Sequence, residues 1–137
     1  MALKIVIGTK SGKCLQKELS STEAEAVYGR TLGEELNGEL FGFTGVKLTI
    51  TGGSDASGFP MRKDLPGQNK KRILMTKGLG FRGKLRGKRF GGLRYKKVIA
   101  GNTVYDKTNQ LNLKCTKGDE VIEAAIVPKA EGATKKK

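Results

Sequence analysis

The residues of this sequence that could do chemistry are concentrated in one stretch, GLGFRGKLRGKRFGGLRYKK at 78–97, which holds eight Lys or Arg, six Gly and three aromatics but no acid. Lys and Arg neutralise phosphates, and Arg can also stack on unpaired bases. The interleaved glycines prevent a regular helix, which disfavours a basic membrane-binding helix and lets the chain follow an irregular groove. The stretch therefore predicts contact with a nucleic-acid backbone, and its irregularity favours folded RNA over a uniform DNA groove.

The net charge of +14 is distributed unevenly along the 137 residues. Residues 62–97, here called the basic segment, hold 14 Lys or Arg and one acid, Asp64, whereas the other 101 residues hold 13 Lys or Arg and 12 acids. Like charges crowded in this way repel one another, and an anionic partner relieves the repulsion. The predicted RNA-binding residues are the basic side chains of this segment: Arg62, Lys63, Lys70, Lys71, Arg72, Lys77, Arg82, Lys84, Arg86, Lys88, Arg89, Arg94, Lys96 and Lys97.

Three aromatic residues of the basic segment, Phe81, Phe90 and Tyr95, have two possible roles. Each could stack on an unpaired base. Each could equally be a small apolar anchor that holds the segment to the rest of the fold. We predict an anchor for Phe81 and leave both roles open for the other two.

The patterns that would indicate an enzyme or a metal site are incomplete. Residues 78–83 match GxGxxG, but the glycines that follow prevent the helix that a dinucleotide site needs. Without histidine, a Ser or Cys nucleophile lacks its usual base, and the two cysteines, Cys14 and Cys115, cannot complete a tetrahedral zinc site. We therefore expect no enzymatic activity, no metal and no cofactor.

No apolar run approaches the ~18 residues that a membrane span needs, so we expect no membrane association. Two cysteines without a secretory segment indicate free thiols in a reducing cytosol. These features predict a soluble, cytoplasmic protein.

Short β-rich runs separated by Gly, Asn and Asp turns predict strands at residues 3–8, 14–19, 46–51, 72–76, 97–105, 110–115 and 121–127. Ser20 stands three residues before Glu23, the spacing of a capping box, and predicts one helix over about 20–30. Residues 52–71 are rich in Gly, Pro, Asp and Ser and predict a long loop.

These elements predict a mostly-β fold, a small antiparallel β-barrel with one short helix and a long basic Gly-rich loop region. A chain of 137 residues is the size of one domain. We expect a single barrel domain over 1–129, which includes the basic segment, and a disordered basic tail over 130–137.

The loop ITGGSDASGFPMR at 50–62, followed by LPG, KKRILMTKGLGFR and a basic run, resembles the e-type small-subunit ribosomal protein S-six family, found in archaea and eukaryotes. The core of the match is GGSD-x-x-GFPMR, and the likeness extends over nearly the whole chain, from KIVIG near the start to GNTVYD…LNLK at 101–114. The family's loop maps onto Gly52, Gly53, Ser54, Asp55, Gly58, Phe59, Pro60, Met61 and Arg62.

The resemblance implies a structural component of the small ribosomal subunit, with a small β-barrel whose loops are buried in ribosomal RNA. The family's RNA-facing basic run maps onto Lys70 through Lys97. Eukaryotic members carry a long basic C-terminal helix with a phosphorylated serine cluster. This chain stops at Lys137 without either feature, so it resembles the short archaeal form, and regulation by phosphorylation is not expected.

The residues of the GGSD loop also suggest local roles. Its glycines permit backbone conformations closed to other residues, and exposed N–H groups there could bind a phosphate. Asp55 and Ser54 are expected to hydrogen-bond the loop's own backbone, because Asx and Ser turns do so. Residues 59–61 are expected to be an apolar plug, and Asp55 as a lone carboxylate is a poor magnesium ligand.

The sequence as a whole predicts a structural constituent of the small ribosomal subunit that binds ribosomal RNA through the basic segment. Its partners would be ribosomal RNA and neighbouring ribosomal proteins, and the free protein would be monomeric. The alternative is a stand-alone RNA-binding factor in translation or RNA processing, with a similar barrel. A DNA-binding chromatin or regulatory protein would have the same composition but would prefer duplex DNA.

Overall fold

The computed structural model describes residues 3–130 of the chain. Within them, nine strands and two helices follow in this order: β1 (Lys4–Gly8), β2 (Cys14–Glu18), α1 (Ser21–Glu25), β3 (Glu35–Asn37), β4 (Lys47–Asp55), β5 (Lys71–Met75), β6 (Lys84–Leu85), β7 (Lys88–Arg89), β8 (Tyr95–Ile99), β9 (Thr108–Lys117) and α2 (Asp119–Ala130). One 3-10 turn, Gly38–Phe41, lies between β3 and β4. The predicted disordered tail, 130–137, lies outside the described residues except for Ala130, the last residue of α2.

The strands form one large sheet and two small ones. The large sheet has the order β2-β1-β9-β4-β3, while β5 pairs with β8 and β6 with β7. The mostly-β prediction is confirmed, but the sheets are not closed into a barrel. The prediction of an antiparallel arrangement is wrong at one pairing, because β1 and β9 run parallel.

The core follows the period of two that strand sequences predict. Ile5 and Ile7 of β1, Leu48 of β4, and Leu111 and Leu113 of β9 are buried on one face of the large sheet. Burying each such side chain contributes about 1.5–3 kcal/mol. This face is covered by apolar residues from the loops and helices, among them Val27, Phe41, Met61, Val104 and Ile122.

The predicted strand at 121–127 is wrong, because these residues belong to helix α2. Gly118, with φ of 85°, ends β9, and two acids follow in the first turn of the helix, where they favour its dipole. Ile122 is buried and Ile126 is half-buried against the same core, four positions apart and therefore on one helix face. A short apolar run does not distinguish helix from strand by itself.

Polar contacts attach α2 to the turn between β1 and β2. Ser11 donates a hydrogen bond to Glu123, with 2.5 Å between the oxygens, and the Lys13 ammonium lies 3.7 Å from the same carboxylate. Lys10 forms an ion pair with Asp119 at 3.6 Å. Basic residues of this turn are therefore neutralised by acids of α2.

Helix α1 begins where the capping-box spacing predicts, but it is only five residues long. The backbone N–H of Ser20 donates to the Glu23 carboxylate at 2.9 Å. Residues 26–29 of the predicted helix form turns instead, and the N–H of Gly29 donates outside the helix, to the carbonyl of Val104 at 2.9 Å. No helix among residues 3–130 has the length and apolar character needed to cross a membrane.

Candidate nucleic-acid interface

The basic segment folds around the ribbon of β5 and β8, apart from the large sheet. The two strands pair antiparallel from Lys71 opposite Ile99 to Met75 opposite Tyr95. They have a small core of their own, in which Met75, Phe81 and Ile99 are buried. The strand predicted at 72–76 is confirmed, and the one predicted at 97–105 lies at Tyr95–Ile99.

A second hairpin lies between β5 and β8 and carries the densest charge. Strands β6 and β7 are joined by Arg86 and Gly87, with φ of 49° and 81°. Positive φ at both central residues is what a two-residue type I′ turn requires. Arg86 is the one non-glycine residue with positive φ among residues 3–130, and that conformation costs roughly 1–2 kcal/mol. The turn therefore holds an exposed arginine in a strained conformation.

The predicted RNA-binding side chains lie in solvent, apart from the half-buried Arg62. Two of the fourteen have acidic partners: Arg62 pairs with Asp64 and Lys70 with Asp55. The other twelve have no carboxylate within 4 Å in the described part of the chain. Lys84 even stands directly opposite Arg89 in the hairpin, and opposed like charges are destabilising. The segment therefore concentrates positive charge that the protein does not neutralise.

The structure brings most of these cations together in three groups. Residues of the ribbon, Lys71, Arg72, Lys96 and Lys97, lie on paired strands. A groove between the chain segments 76–84 and 89–93 is lined by Lys77, Arg82, Lys84 and Arg89. Arg86 and Lys88 belong to the β6–β7 hairpin. By contrast, Lys63 lies elsewhere, against Gly33, and Arg94 directly precedes β8.

Large apolar side chains are exposed in the same segment. Of the seven that are exposed in the described residues, five lie here: Leu74, Leu79, Leu85, Phe90 and Tyr95. Phe81 is only 6% exposed and stacks on Tyr95 with 6.0 Å between ring centroids, so it is an anchor as predicted. Phe90 is 51% exposed. Apolar groups held in solvent beside a positive surface are typical of a region that meets a partner.

The GGSD loop is more regular than the sequence predicts, because residues 52–55 continue strand β4. Gly53 is required by close packing and not by an unusual φ. A Cβ there would lie 2.7 Å from the carbonyl oxygen of Gln110 and 2.9 Å from the sulfur of Met61. At Gly58 the reason is conformational, since its φ is 77°.

Most backbone donors of this loop are used inside the protein. The N–H groups of Asp55, Gly58 and Met61 donate to carbonyl oxygens at 2.8–3.0 Å, and that of Ala56 donates to the carbonyl of Lys107 at 2.9 Å. The predicted phosphate-binding role therefore has few donors available in the loop. The apolar plug is centred on Met61, which is buried in the core, while residues 59 and 60 are half-buried.

Asp55 is the polar centre of the loop and is 2% exposed. It accepts a hydrogen bond from the N–H of Ala56 at 2.5 Å, as an Asx-type contact predicts, and pairs with the Lys70 ammonium at 2.5 Å. Burial by itself raises the pKa of Asp55, but the hydrogen bonds from Lys70 and Ala56 outweigh it, so the pKa lies below its ordinary value. Lys70 also lies 5.3 Å from the ring centroid of Phe59, so this lysine holds the loop together.

We expect Asp55→Asn to destabilise the protein by about 2 kcal/mol at pH 7, because it removes a buried charge-assisted hydrogen bond. Since the folded-state pKa of Asp55 is lowered, its stabilisation is present above the unfolded value of about 4 and is lost as pH falls through the folded value. The difference in unfolding free energy between wild type and variant should therefore shrink in acid. Urea unfolding at pH 7 and pH 2.5 measures it.

Asp106→Asn is the matched control, because Asp106 is an exposed carboxylate without an ion pair in the described residues. Its unfolding free energy should stay within about 0.5 kcal/mol of wild type. A gap between wild type and Asp55→Asn that is equally large at both pH values would contradict the electrostatic role.

Asn102 is a structural residue that the sequence analysis missed. Its N–H donates to the carbonyl of Leu65 at 2.8 Å, and its side-chain oxygen accepts the N–H of Gly67 at 3.2 Å. Its side-chain nitrogen donates to the carbonyl of Lys63 at 3.4 Å. The Gly-Asn pair is a turn signal, but its partners are more than thirty positions away, where local patterns do not reach. Asn102 thus fixes the start of the basic segment.

The described residues contain few other groups that could react or bind a metal. Cys14 is exposed and Cys115 is buried, and both are free thiols. Burial raises the pKa of Cys115 to about 11, with the neighbouring Asp119 acting in the same direction. No three His, Cys, Asp or Glu side chains within the described range come together as metal ligands.

Known proteins resemble this chain over most of its length. A family model described as Ribosomal protein S6e matches residues 3–127. Relatives named Small ribosomal subunit protein eS6 include that of Methanothermobacter thermautotrophicus, 39% identical over 127 residues, with 92% of this chain and 96% of the relative covered. That of Methanosphaera stadtmanae is 37% identical over 131 residues, covering 96% of each. That of Methanococcus maripaludis is 42% identical over 115 residues, covering 83% of this chain and 86% of the relative.

These matches define the class as ribosomal proteins. Within that class, the chain belongs to the S6e family. The resemblance carried by the GGSD-x-x-GFPMR word is thereby confirmed, and the relatives are archaeal, as the sequence predicted.

Proposed function

We propose that this protein is a structural constituent of the small ribosomal subunit and binds ribosomal RNA through the basic segment. The observation that carries the proposal is the group of twelve exposed cations without an acidic partner in the described residues, gathered on one folded segment of a chain whose remainder is near neutral. Family membership supports the ribosomal role, since the relatives are named for the small subunit.

The large sheet and the basic segment have different roles in this proposal. The large sheet buries the main core, and two of its basic residues are held in ion pairs, Lys4 with Glu18 and Lys17 with Glu23. The basic segment supplies phosphate contacts, and each contact releases counterions from the RNA. The strained turn at Arg86 also supports a binding role for the basic segment, because backbone strain of this kind is found at functional sites.

The proposal includes the setting in which the protein works. It acts in the ribosome in the cytoplasm, with ribosomal RNA and neighbouring ribosomal proteins as partners, without enzymatic activity or a cofactor. The free protein is monomeric. When RNA binds, it relieves the mutual repulsion of the basic side chains.

The test is a sucrose-gradient profile of native cell lysate, probed for this protein at low salt and after a high-salt wash. We expect it to sediment with the small subunit in both, because contacts buried against RNA resist screening better than exposed ones. Removing magnesium with a chelator separates the subunits, and the protein should then follow the small one.

Two other distributions would contradict the proposal. Recovery in the light fractions, with RNA bound reversibly, would make the protein a stand-alone RNA-binding factor. Sedimentation that a deoxyribonuclease abolishes and a ribonuclease leaves intact would indicate a DNA-binding protein.

A further inference from the structure

We infer that the groove between the chain segments 76–84 and 89–93 holds one unpaired RNA base, with the adjacent phosphates on the cations around it. This site deepens the proposed function and rests on it, because it names the part of the RNA that the basic segment recognises. The groove has a volume of about 680 Å³, within the 300–1,000 Å³ typical of small-ligand sites.

Aromatic and apolar side chains form the body of the groove. Phe81 is held in place from behind by its stacking on Tyr95 and by the small core with Met75 and Ile99. Phe90 also lines the groove and is 51% exposed. Unpaired bases stack on flat apolar rings whatever their sequence, so Phe90 is the ring available for stacking, while the buried Phe81 forms the wall behind it.

Glycines form part of the groove's lining. Gly78 and Gly91 line it, and a Cβ at either position would meet no atom within 4 Å. The chain turns tightly at one end, where Gly78 and Phe81 exchange two backbone hydrogen bonds of 2.9 and 3.0 Å. A side chain could therefore be added at Gly78 or Gly91 without overlapping neighbouring atoms.

The charges around the groove specify the ligand. Lys77, Arg82, Lys84 and Arg89 line it, and no acidic residue does. A purely apolar ligand would leave these cations without partners, whereas an unpaired nucleotide presents an aromatic base between two phosphates. A base within a duplex has its faces covered by its neighbours, so the groove selects single-stranded loops, bulges or ends.

The experiment compares two RNAs that carry the same number of phosphates. The full-length protein is titrated, by fluorescence anisotropy, into a mixed-sequence single-stranded RNA and into an RNA of equal length made of abasic nucleotides. We expect wild type to bind the abasic RNA about tenfold more weakly, the effect of losing one stacked base.

Two independent variants locate the effect. Phe90→Ala removes the exposed ring, and Gly91→Leu adds bulk to a residue that lines the groove, where a Cβ would meet no atom within 4 Å. Each variant should bind the ordinary RNA about tenfold more weakly than wild type does. Each should therefore have nearly the same affinity for the ordinary RNA and for the abasic RNA. The controls keep the tenfold preference: Val121→Ala truncates an apolar side chain that is 43% exposed on α2, outside the basic segment, and Gly52→Leu adds the same bulk in open space on β4.

Thermal unfolding shows whether each variant is folded, and one folded groove variant is enough to decide the question. Equal affinity of wild type for the two RNAs, or a preference that a folded groove variant retains, would overturn the base site and leave the proposed function intact. If wild type bound neither these RNAs nor deproteinised small-subunit RNA, the proposed function itself would fail.

Discussion

Replacing Gly101 with alanine should lower the free energy of unfolding by about 3 kcal/mol, the upper end of the usual cost of overpacking. An added Cβ would overlap the carbonyl oxygen of Gly67 and lie 2.7 Å from its carbonyl carbon. Both atoms belong to the backbone, so no side chain can rotate away to make room. Urea unfolding followed by circular dichroism measures the loss.

The contacts around Gly101 explain why the structure cannot easily adjust to an added Cβ. The loop at 63–67 is held against it by Asn102, and the N–H of Thr103 donates to the same Gly67 carbonyl at 3.4 Å. Moving the loop to relieve the overlap breaks these bonds. Each of these hydrogen bonds contributes about 0.5–1.5 kcal/mol.

Gly52→Ala is the matched control for Gly101→Ala. A Cβ at Gly52 would meet no atom within 4 Å, and its φ lies outside the left-handed region. Its unfolding free energy should change by no more than about 0.5 kcal/mol. If Gly101→Ala were as stable as this control, the loop at 63–67 would have to move freely, and the hydrogen bonds of Asn102 would contribute little.

The parts of the fold that were predicted from sequence are those set by neighbouring residues. Strands β1 and β2 match the predicted runs, and the Ser20–Glu23 spacing located the start of α1. Helix α2 was missed because VIEAAIV fits a buried strand as well as a helix, and its docking depends on the turn at 10–13, over a hundred positions away. Barrel closure likewise depends on which strands pair, which local periodicity does not determine.

For the candidate site too, the features set by local sequence were predictable and those set by distant contacts were not. Its charges were predictable because charge adds along the sequence whatever the fold. The groove was not, because it requires residues 76–84 and 89–93 to face each other through the pairing of β6 with β7. Gly53 was recognised as part of a motif, but the reason for it, close approach to Gln110 and Met61, appears only in three dimensions.

The basic segment departs most clearly from the usual preferences for backbone conformation, charge pairing and burial of apolar side chains. Arg86 is strained, Lys84 faces Arg89, and large apolar side chains such as Leu74 and Phe90 stand in solvent. Natural proteins tolerate such conflicts mainly at functional sites. An anionic partner would relieve the charge repulsion and cover the apolar groups together, so these separate conflicts have one common explanation.

Replacing Arg82, Arg86 and Arg89 with alanine should therefore weaken RNA binding strongly and make it less sensitive to salt. Each lost phosphate contact flattens the slope of log K against log [salt] by about one unit, so three contacts correspond to about three units. If the two lines converge near 1 M salt, the affinity at 0.1 M falls by about a thousandfold. Titration of small-subunit RNA at four or five salt concentrations measures both quantities.

The control for this triple variant removes the same charge from another surface. Lys47, Lys114 and Lys117 are exposed on the large sheet and have no ion pair among the described residues. Alanine at these three positions changes the net charge equally, so any loss it shares with the arginine variant is long-range attraction. The arginine variant should also be as thermally stable as wild type or more so, since it removes the repulsion of Lys84 by Arg89. An unchanged salt slope would mean that these arginines do not touch phosphate, and a large loss of stability would mean that they hold the fold together.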